Sequence, residues 1–432
     1  MNVCVVGLGK IGLPLAVQIA SKGHHVWGAD IHRPTVDLVN AGEVPFPGEH
    51  DLDRRLREVI DAGALTALTD TADAVSRSDA VIVVVPLVVD DDARPDFRAL
   101  DAATAAIARG LRPGTLVSYE TTLPVGTTRT RFLPALTAAP GLADGGDVFV
   151  VFSPERVYSG RIFADLRRYP KLVGGVDEAS AERGMDFYRS ILDFDDRPDL
   201  ERGNGVWNMG TSEASEFAKL AETTYRDVNI ALANEFARYA DQTGVDIVDV
   251  IDASNSQPFS HIHRPGIAVG GHCIPVYPRF YLSNDPAATL PAAGRALNDD
   301  MPRYAVDRLA AVVPGGLSGQ TVAVLGACYR GGVKETAFSG VFATVRALQS
   351  VGATALVHDP LFSDDELVAF GFTPYHLGDA CDAAVVQADH VEYATLRPSD
   401  LPGVRALIDG RRCVDPAPWT AADLPLVVIG KG

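Results

Sequence analysis

Short apolar runs, each followed by a turn and an amphipathic stretch, alternate along the first part of the chain, the pattern of a βαβ fold. Val3-Cys4-Val5-Val6 reads as a buried strand, Leu13–Ser21 as a helix and His25–Ala29 as the next strand. Ala80–Val85 is apolar throughout, as in a parallel strand covered on both faces, and Pro86 ends it. A helix over Leu100–Arg109 and strands over Thr115–Tyr119 and Asp147–Phe152 continue the series. From Thr211 to about Thr243 the period changes. Ala214, Phe217, Ala218, Ala221, Tyr225, Val228, Ala231, Leu232, Phe236 and Ala240 recur every three or four residues, so one long helix is expected. Thr211 or Ser212 caps it, Glu213 and Glu216 suit its positive end, and Gly244 stops it. Some thirty helical residues span roughly 45 Å, enough to connect two lobes and to offer a dimer surface.

Beyond a linker at Pro314-Gly315-Gly316, Thr321–Ala327 repeats the strand-to-glycine pattern of residues 3 to 9. A helix (Val341–Val351), a strand ending at His358-Asp359-Pro360, and strands in Ala383–Val386 and Ala406–Arg411 follow. The expected architecture is α/β, with two Rossmann-like, doubly wound parallel-sheet domains, residues 1–205 and 313–432. A central helical domain, residues 206–312, joins them.

The turns of this pattern hold the chemistry. Gly7-Leu8-Gly9-Lys10-Ile11-Gly12 lies between the first strand and its helix. Gly7 allows the tight turn, Gly9 lets backbone approach a pyrophosphate, Gly12 lets helix and strand pack closely, and the helix N-terminus faces the phosphates. Asp30, at the end of the second strand, suits the ribose hydroxyls of NAD and repels the 2′-phosphate of NADP, although Arg33 stands nearby. Glu120–Thr128 forms a hydroxyl-rich loop, and Ser153-Pro154-Glu155-Arg156 another, both at strand ends where such sheets bind ligands. On the long helix Lys219, Thr223 and Arg226 form a polar stripe that suits an anionic substrate or an oxyanion.

Gly270-Gly271-His272-Cys273-Ile274-Pro275 sets one thiol in a glycine-rich loop. Two readings stand, a buried structural thiol and a nucleophile that holds an aldehyde while hydride leaves. Exposed loop backbone and the cations Arg264 and Lys219 favour the second. His261, His263, His272 and Cys273 lack supporting carboxylates and the spacing of a metal site, so no metal is expected.

Composition narrows the partners. The chain has 432 residues, 47% hydrophobic and 22% charged, which suits a multi-domain globular protein. Its net charge of −18 argues against nucleic acid or an anionic membrane surface. No apolar run reaches about eighteen residues, and the N-terminus enters a strand without a basic leader, so neither a membrane span nor a signal peptide is expected. Cys4, Cys273, Cys328, Cys381 and Cys413 have no framework spacing, as in a reduced, cytoplasmic protein.

Taken together, VGLGKIG with Asp30, ETTLPVGTT, SPERVYSGR, EFAKLAETTYRDVNIALANE, RPGIAVGGHCIPV, VAVLG, HDP and DGR resemble the UDP-glucose/GDP-mannose dehydrogenase family along essentially the whole chain. The resemblance implies an N-terminal NAD domain, a dimerising helical middle and a C-terminal domain for the sugar's nucleotide. It implies oxidation of a sugar C6 alcohol to a carboxylate through a cysteine thiohemiacetal and thioester, using two NAD. By motif position Cys273 is the nucleophile and Lys219 the oxyanion-stabilising cation, while Thr122 and Glu155 order water or move protons. Gly7, Leu8, Gly9, Lys10, Ile11, Gly12, Asp30, Arg33, Pro86 and Thr122 fall at cofactor positions. Glu155, Arg156, Val157, Lys219, Thr223, Arg264, Gly270, Tyr277 and Arg330 fall at substrate positions. The histidine of GGHC is similar to the branch acting on UDP-N-acetylhexosamines. Departures are Tyr277 for an aspartate, Thr223 for an asparagine, Arg330 for a lysine, Pro86-Leu87-Val88 for Pro-Thr-Pro, and Lys334–Ser339 without the usual arginine. A phenol does not replace a carboxylate as a base at neutral pH. A two-electron dehydrogenase releasing the aldehyde, and a catalytically silent NAD- and nucleotide-sugar-binding protein, are the alternatives.

Overall fold

The computed structural model describes residues 1–90, 92–142, 147–158 and 160–432. Ser159, part of the SPERVYSGR motif, lies outside the described residues. The chain divides into two compact units, Met1–Ala221 with Arg279–Asn284, and Glu222–Pro278 with Asp285–Gly432.

The first unit is built on β1 (Asn2–Val6), β2 (His25–Ala29), β3 (Leu65–Leu68), β4 (Ala80–Val83), a small hairpin of β5 (Val88–Val89) and β6 (Pro95–Asp96), β7 (Leu116–Tyr119), β8 (Phe149–Phe152), β9 (Lys171–Gly175) and β10 (Val206–Thr211). Eight of these strands form one sheet in the order β10-β9-β8-β7-β4-β1-β2-β3. From β3 to β8 every pairing is parallel, the Rossmann order, and the order reverses between β1 and β4. β9 pairs antiparallel to β8 and parallel to β10, so the last two strands run the other way. The apolar pattern gave no sign of them, because β9 reads Lys-Leu-Val-Gly-Gly. Its glycines are a packing requirement: a Cβ on Gly174 would stand 2.0 Å from the Thr211 carbonyl oxygen.

Val3, Val5, Leu13, Val17, Ile82, Val151, Phe187 and Tyr188 are among the side chains of this unit's core. Full burial of each aliphatic side chain stabilises the fold by roughly 1.5–3 kcal/mol, so the continuous runs seen in the sequence become the central strands.

The second unit holds β11 (Thr321–Leu325), β12 (Thr354–His358), β13 (Ala383–Val386), β14 (Leu407–Asp409) and β15 (Leu426–Val428) in the order β12-β11-β13-β14-β15, parallel throughout. This is the flavodoxin-like order, whose ligand crevice opens between the first and third strands, here β11 and β13. The helix Thr289–Val312 packs Met301, Ala305 and Leu309 into the same core as Val322, Val324, Val385 and Ile408.

The long helix runs over Ser212–Thr243, 32 residues, and the division between the units falls within it, after Ala221. Its faces differ from those the apolar period suggests. Phe217, Tyr225, Leu232, Phe236 and Tyr239 are exposed, whereas Lys219, Thr223, Asp227 and Asn234 are buried. Of the stripe read from the sequence, Lys219 and Thr223 face inward while Arg226 is exposed; the inward row runs on instead through Asp227 and Asn234, which have partners there. Asp227 Oδ1 accepts from Arg295 (2.5 Å) and Asn298 (2.8 Å), and Asn234 Nδ2 donates to Asn298 Oδ1 (2.9 Å). Asn234 Oδ1 in turn accepts from the Gly266 amide (2.9 Å), fixing where the segment leading to the cysteine loop begins. No helix among the described residues is long and apolar enough to cross a membrane.

Candidate active site

In the first unit the candidate residues follow the carboxyl ends of the parallel strands. Gly7 leaves β1 with φ +94°, and its amide donates to the Ala29 carbonyl (2.8 Å). Gly12 opens the helix Gly12–Ser21 so close to this turn that a Cβ would lie 1.8 Å from the Gly7 oxygen. A Cβ on Gly9 would meet nothing within 4 Å, so only an incoming ligand needs that position bare. Lys10 is exposed and Ile11 half-buried. Asp30, just past β2, accepts from the Leu8 amide on Oδ2 (2.8 Å) and from the His32 amide on Oδ1 (2.9 Å). The glycine loop and the carboxylate are thus one rigid cradle. Arg33 sits exposed at the start of its helix, with Thr69 and Asp37 as partners.

Pro86 follows β4, Thr122 follows β7 and Glu155 follows β8, at the same sheet edge. The loop bearing Thr122 is gripped from the long helix. Glu216 accepts from the Gly126 amide (2.5 Å), the Thr128 amide (2.8 Å) and the Thr128 hydroxyl (2.7 Å). Glu213 pairs with Arg129 (2.5 Å). These two acids, expected from the sequence only to complement the helix terminus, therefore also hold the loop. Burial drives the Glu216 carboxyl up to about 7, against the pull of its three donors. One turn along the same helix, Lys219 is 7% exposed.

Glu155 is not a solvated loop acid. Its Oε2 lies 2.8 Å from Lys171 Nζ, and its Oε1 accepts from the Arg156 amide (2.7 Å). Burial raises its carboxyl, but the Lys171 and Lys219 cations and the amide bond outweigh that and hold it below the usual range. Arg156 reaches back to the Pro170 carbonyl (3.3 Å), and Val157 packs against the core.

In the second unit the cysteine loop crosses the carboxyl edge of the sheet. The Ile267 amide donates to the Gly410 carbonyl (2.9 Å), just past β14, and the Gly271 amide to Ala337 (2.9 Å), in the segment after β11. Gly270 is so close to that segment that a Cβ would meet Tyr329 Cβ at 2.6 Å and the Phe338 oxygen at 2.9 Å. His272 Nε2 lies 3.5 Å from Glu335. Cys273 is exposed, which removes the reading of a thiol buried for structure. Its carbonyl accepts from the Tyr277 amide (2.9 Å), where the helix Tyr277–Asn284 begins. Thr223 is buried, and Arg330 stands 5.8 Å from the Tyr329 ring centre. Arg264 pairs with Asp252 and lines a pocket of about 300 Å3 with Arg411 and Arg412. Arg411 is a residue that the sequence reading passed over, although it ends the DGR turn. Its guanidinium donates to the Gln387 carbonyl (2.8 Å) and the Tyr329 carbonyl (3.3 Å), and burial lowers its pKa.

Among the described residues one group of metal-type side chains meets, Cys328, Asp359 and His390, all buried. Asp359 Oδ2 already accepts from the Ala327 and Cys328 amides (2.7 and 3.0 Å) and lies 3.1 Å from His390 Nε2. Burial opposes its charge, yet His390 and the amides bring the carboxyl down to about 2. The trio braces the turn after β11.

Comparison with known proteins places these two edges. Residues 1–192 match the NAD binding domain of the UDP-glucose/GDP-mannose dehydrogenase family, residues 213–297 its central domain, and residues 323–416 its UDP binding domain. The chain belongs to this family. It is therefore an NAD-dependent nucleotide-sugar dehydrogenase, and its cofactor is NAD. Among relatives, the UDP-N-acetyl-D-mannosamine dehydrogenase of Pyrococcus horikoshii is 35% identical over 434 residues, 97% of each chain. A solved structure of UDP-D-ManNAc dehydrogenase from that organism superposes with TM-score 0.86 at 33% identity, covering 100% of both chains. A UDP-glucose dehydrogenase from Pyrobaculum islandicum gives TM-score 0.85 at 25% identity, covering 99% of this chain and 96% of that one. The family's Rossmann architecture is thus the fold that the apolar pattern anticipated.

Proposed function

We propose that this dehydrogenase oxidises the C6 alcohol of a UDP-N-acetylhexosamine, UDP-N-acetyl-D-mannosamine first among them, to the uronic acid. The relatives above that carry that name support the sugar. The observation behind the four-electron course is the exposed Cys273, set in a loop anchored to the edge of the sheet matched as UDP binding. In this reading residues 1–205 hold NAD, 313–432 hold the nucleotide and 206–312 join them.

Bound NAD accepts hydride from C6. Cys273 adds to the resulting aldehyde as a thiohemiacetal, and a second oxidation leaves a thioester that water cleaves to the carboxylate. Per sugar, two NAD and one water yield two NADH, one carboxylate and three protons. Lys219 stabilises the oxyanion, and Thr122 and Glu155 order the water and take up protons. Thr223, Arg264, Gly270, Tyr277 and Arg330, with Arg156 and Val157, contact the substrate. Pro86 and the loop Gly7–Gly12 face the cofactor. The exposed apolar face Phe217, Tyr225, Leu232, Phe236 and Tyr239 joins two copies into a homodimer; sedimentation as a monomer would remove that part.

Incubating the purified protein with NAD and a panel of UDP- and GDP-sugars tests the reading. Two NADH per UDP-N-acetyl-D-mannosamine are expected; one NADH with free aldehyde would establish the two-electron alternative. Asp30→Asn keeps an acceptor for the Leu8 amide but removes the charge. The KM for NAD is expected to rise about tenfold, with NADP penalised less. An equal change with both cofactors would show that Asp30 does not meet the ribose.

A further inference from the structure

Behind Glu155 lies a buried polar cluster that the reaction as described leaves unused. Glu120 follows β7, and its side chain is fully buried. Lys171 opens β9 and is 4% exposed. The reversal of β9 explains how a lysine reaches this place. In a parallel strand the first residue would lie at the opposite edge of the sheet. Antiparallel pairing with β8 (Phe152 opposite Gly174) instead brings Lys171 to the carboxyl edge, level with Glu155.

There its Nζ lies 2.9 Å from Glu120 Oε2 and 2.8 Å from Glu155 Oε2, bridging the two carboxylates. Tyr188, from the helix Glu178–Ile191, donates to Glu120 Oε1 (2.5 Å), and its hydroxyl lies 2.7 Å from Ser118 Oγ. The ammonium also stands 4.8 Å from the centre of the Tyr188 ring. Every oxygen of Glu120 and Glu155 thus has a donor. A lysine and two glutamates removed from water are retained at a cost in desolvation that a structural site meets more cheaply with apolar residues.

We propose that Lys171, with Glu120 behind it, is the positioning residue for Glu155, holding that carboxylate in one orientation and as the anion. The proposal rests on the role given to Glu155 above. Lys171 binds Glu155 Oε2 while the Arg156 amide binds Oε1, so the carboxylate cannot rotate without losing a charge-assisted bond. Among the described residues, the charged groups acting on Glu155 include Lys171 from β9, Glu120 from the end of β7 and Lys219 from the long helix. Tyr188 faces Glu120 and Lys171 from its own helix. Two carboxylates share one buried ammonium, and burial raises the Glu120 carboxyl against the pull of Lys171, so Glu120 is the readier of the two to take a further proton. Burial works against the Lys171 charge, but the two glutamates keep it above the ordinary lysine range. When Glu155 takes a proton, the ammonium passes one on to ionised Glu120 and regains one from Glu155. One proton moves, no electrons move, and Glu155 returns to the anion.

The test uses the full chain with NAD bound and carboxyl-13C glutamate, with Glu155→Gln and Glu120→Gln spectra assigning the two signals. Lys171→Met is expected to move the Glu155 titration up by about a unit or more. With UDP-N-acetyl-D-mannosamine as substrate, the acid limb of the kcat/KM profile should rise in parallel and kcat at neutral pH fall roughly tenfold or more. Lys171→Arg should restore the limb. Glu120→Gln leaves the ammonium undivided, so Glu155 should titrate lower, and this variant together with Lys171→Arg decides the matter if Lys171→Met does not fold. An unmoved Glu155 titration in Lys171→Met, or in Glu120→Gln when it must stand alone, overturns the proposal. Loss of stability with an unmoved pH profile would mean a structural lysine, and also overturns it. A shifted titration in a protein that does not oxidise the sugar upholds the proposal and places the fault in the substrate assigned above.

Discussion

Replacing Cys273 with serine is expected to cut NADH formation from the nucleotide sugar by roughly a thousandfold or more. The thermal transition should stay within about a degree of the parent protein. The two expectations belong together. Cys273 is exposed, so exchanging sulfur for oxygen removes no core contact, and surface changes of that size fall within about 0.5 kcal/mol. A neutral hydroxyl in the same loop is a far weaker nucleophile than a thiol. Steady-state NADH release and differential scanning calorimetry on the same preparation separate chemistry from folding. Parent-like turnover in the serine variant would take the thiol off the reaction path, and the proposed course would go with it.

A second large effect is expected in the core of the second unit. Arg295→Met should destabilise the second unit by about 3–5 kcal/mol, on the order of a ten-degree fall in its transition. Arg295 is 4% exposed and donates to Asp227 (2.5 Å), which is fully buried, and to Asp299 (2.5 Å). Burial already pushes the Asp227 carboxyl upward against the pull of Arg295. Deleting the guanidinium strands that acid in the core. Adding Asp227→Asn should recover most of the loss, because the stranded charge, more than the missing attraction, is what costs. Calorimetry of both single variants and the double variant closes the cycle; an Arg295→Met variant within about 1 kcal/mol of the parent would show that the pair is incidental.

Central strands were legible in the sequence because a strand covered on both faces leaves an unbroken apolar run, as in Ala80–Val83 and Ala383–Val386. The glycine loop and Asp30 were legible for a different reason. Their spacing is set by local backbone geometry, which the chain records directly. Lys171 was hidden because its position depends on strand direction, a property of pairing that no local pattern encodes. The long helix misled through its period. Its aromatic residues mark an exposed face, while Asp227 and Asn234 turn inward, where Arg295 and Asn298 satisfy them from a helix some sixty residues further along the chain. Periodicity reports that a helix has two faces; which one turns inward depends on partners elsewhere in the sequence.

The moorings of the Cys273 loop constrain how this enzyme can be recombined with another. Ile267 and Gly271 are tethered through Gly410 and Ala337, and Gly270 leaves no room beside Tyr329. The proposed nucleophile and the UDP-binding lobe are consequently held in one register. A chimera that borrowed another enzyme's last hundred residues to change nucleotide preference would have to import the matching GGHC segment as well, or lose the register of its own thiol.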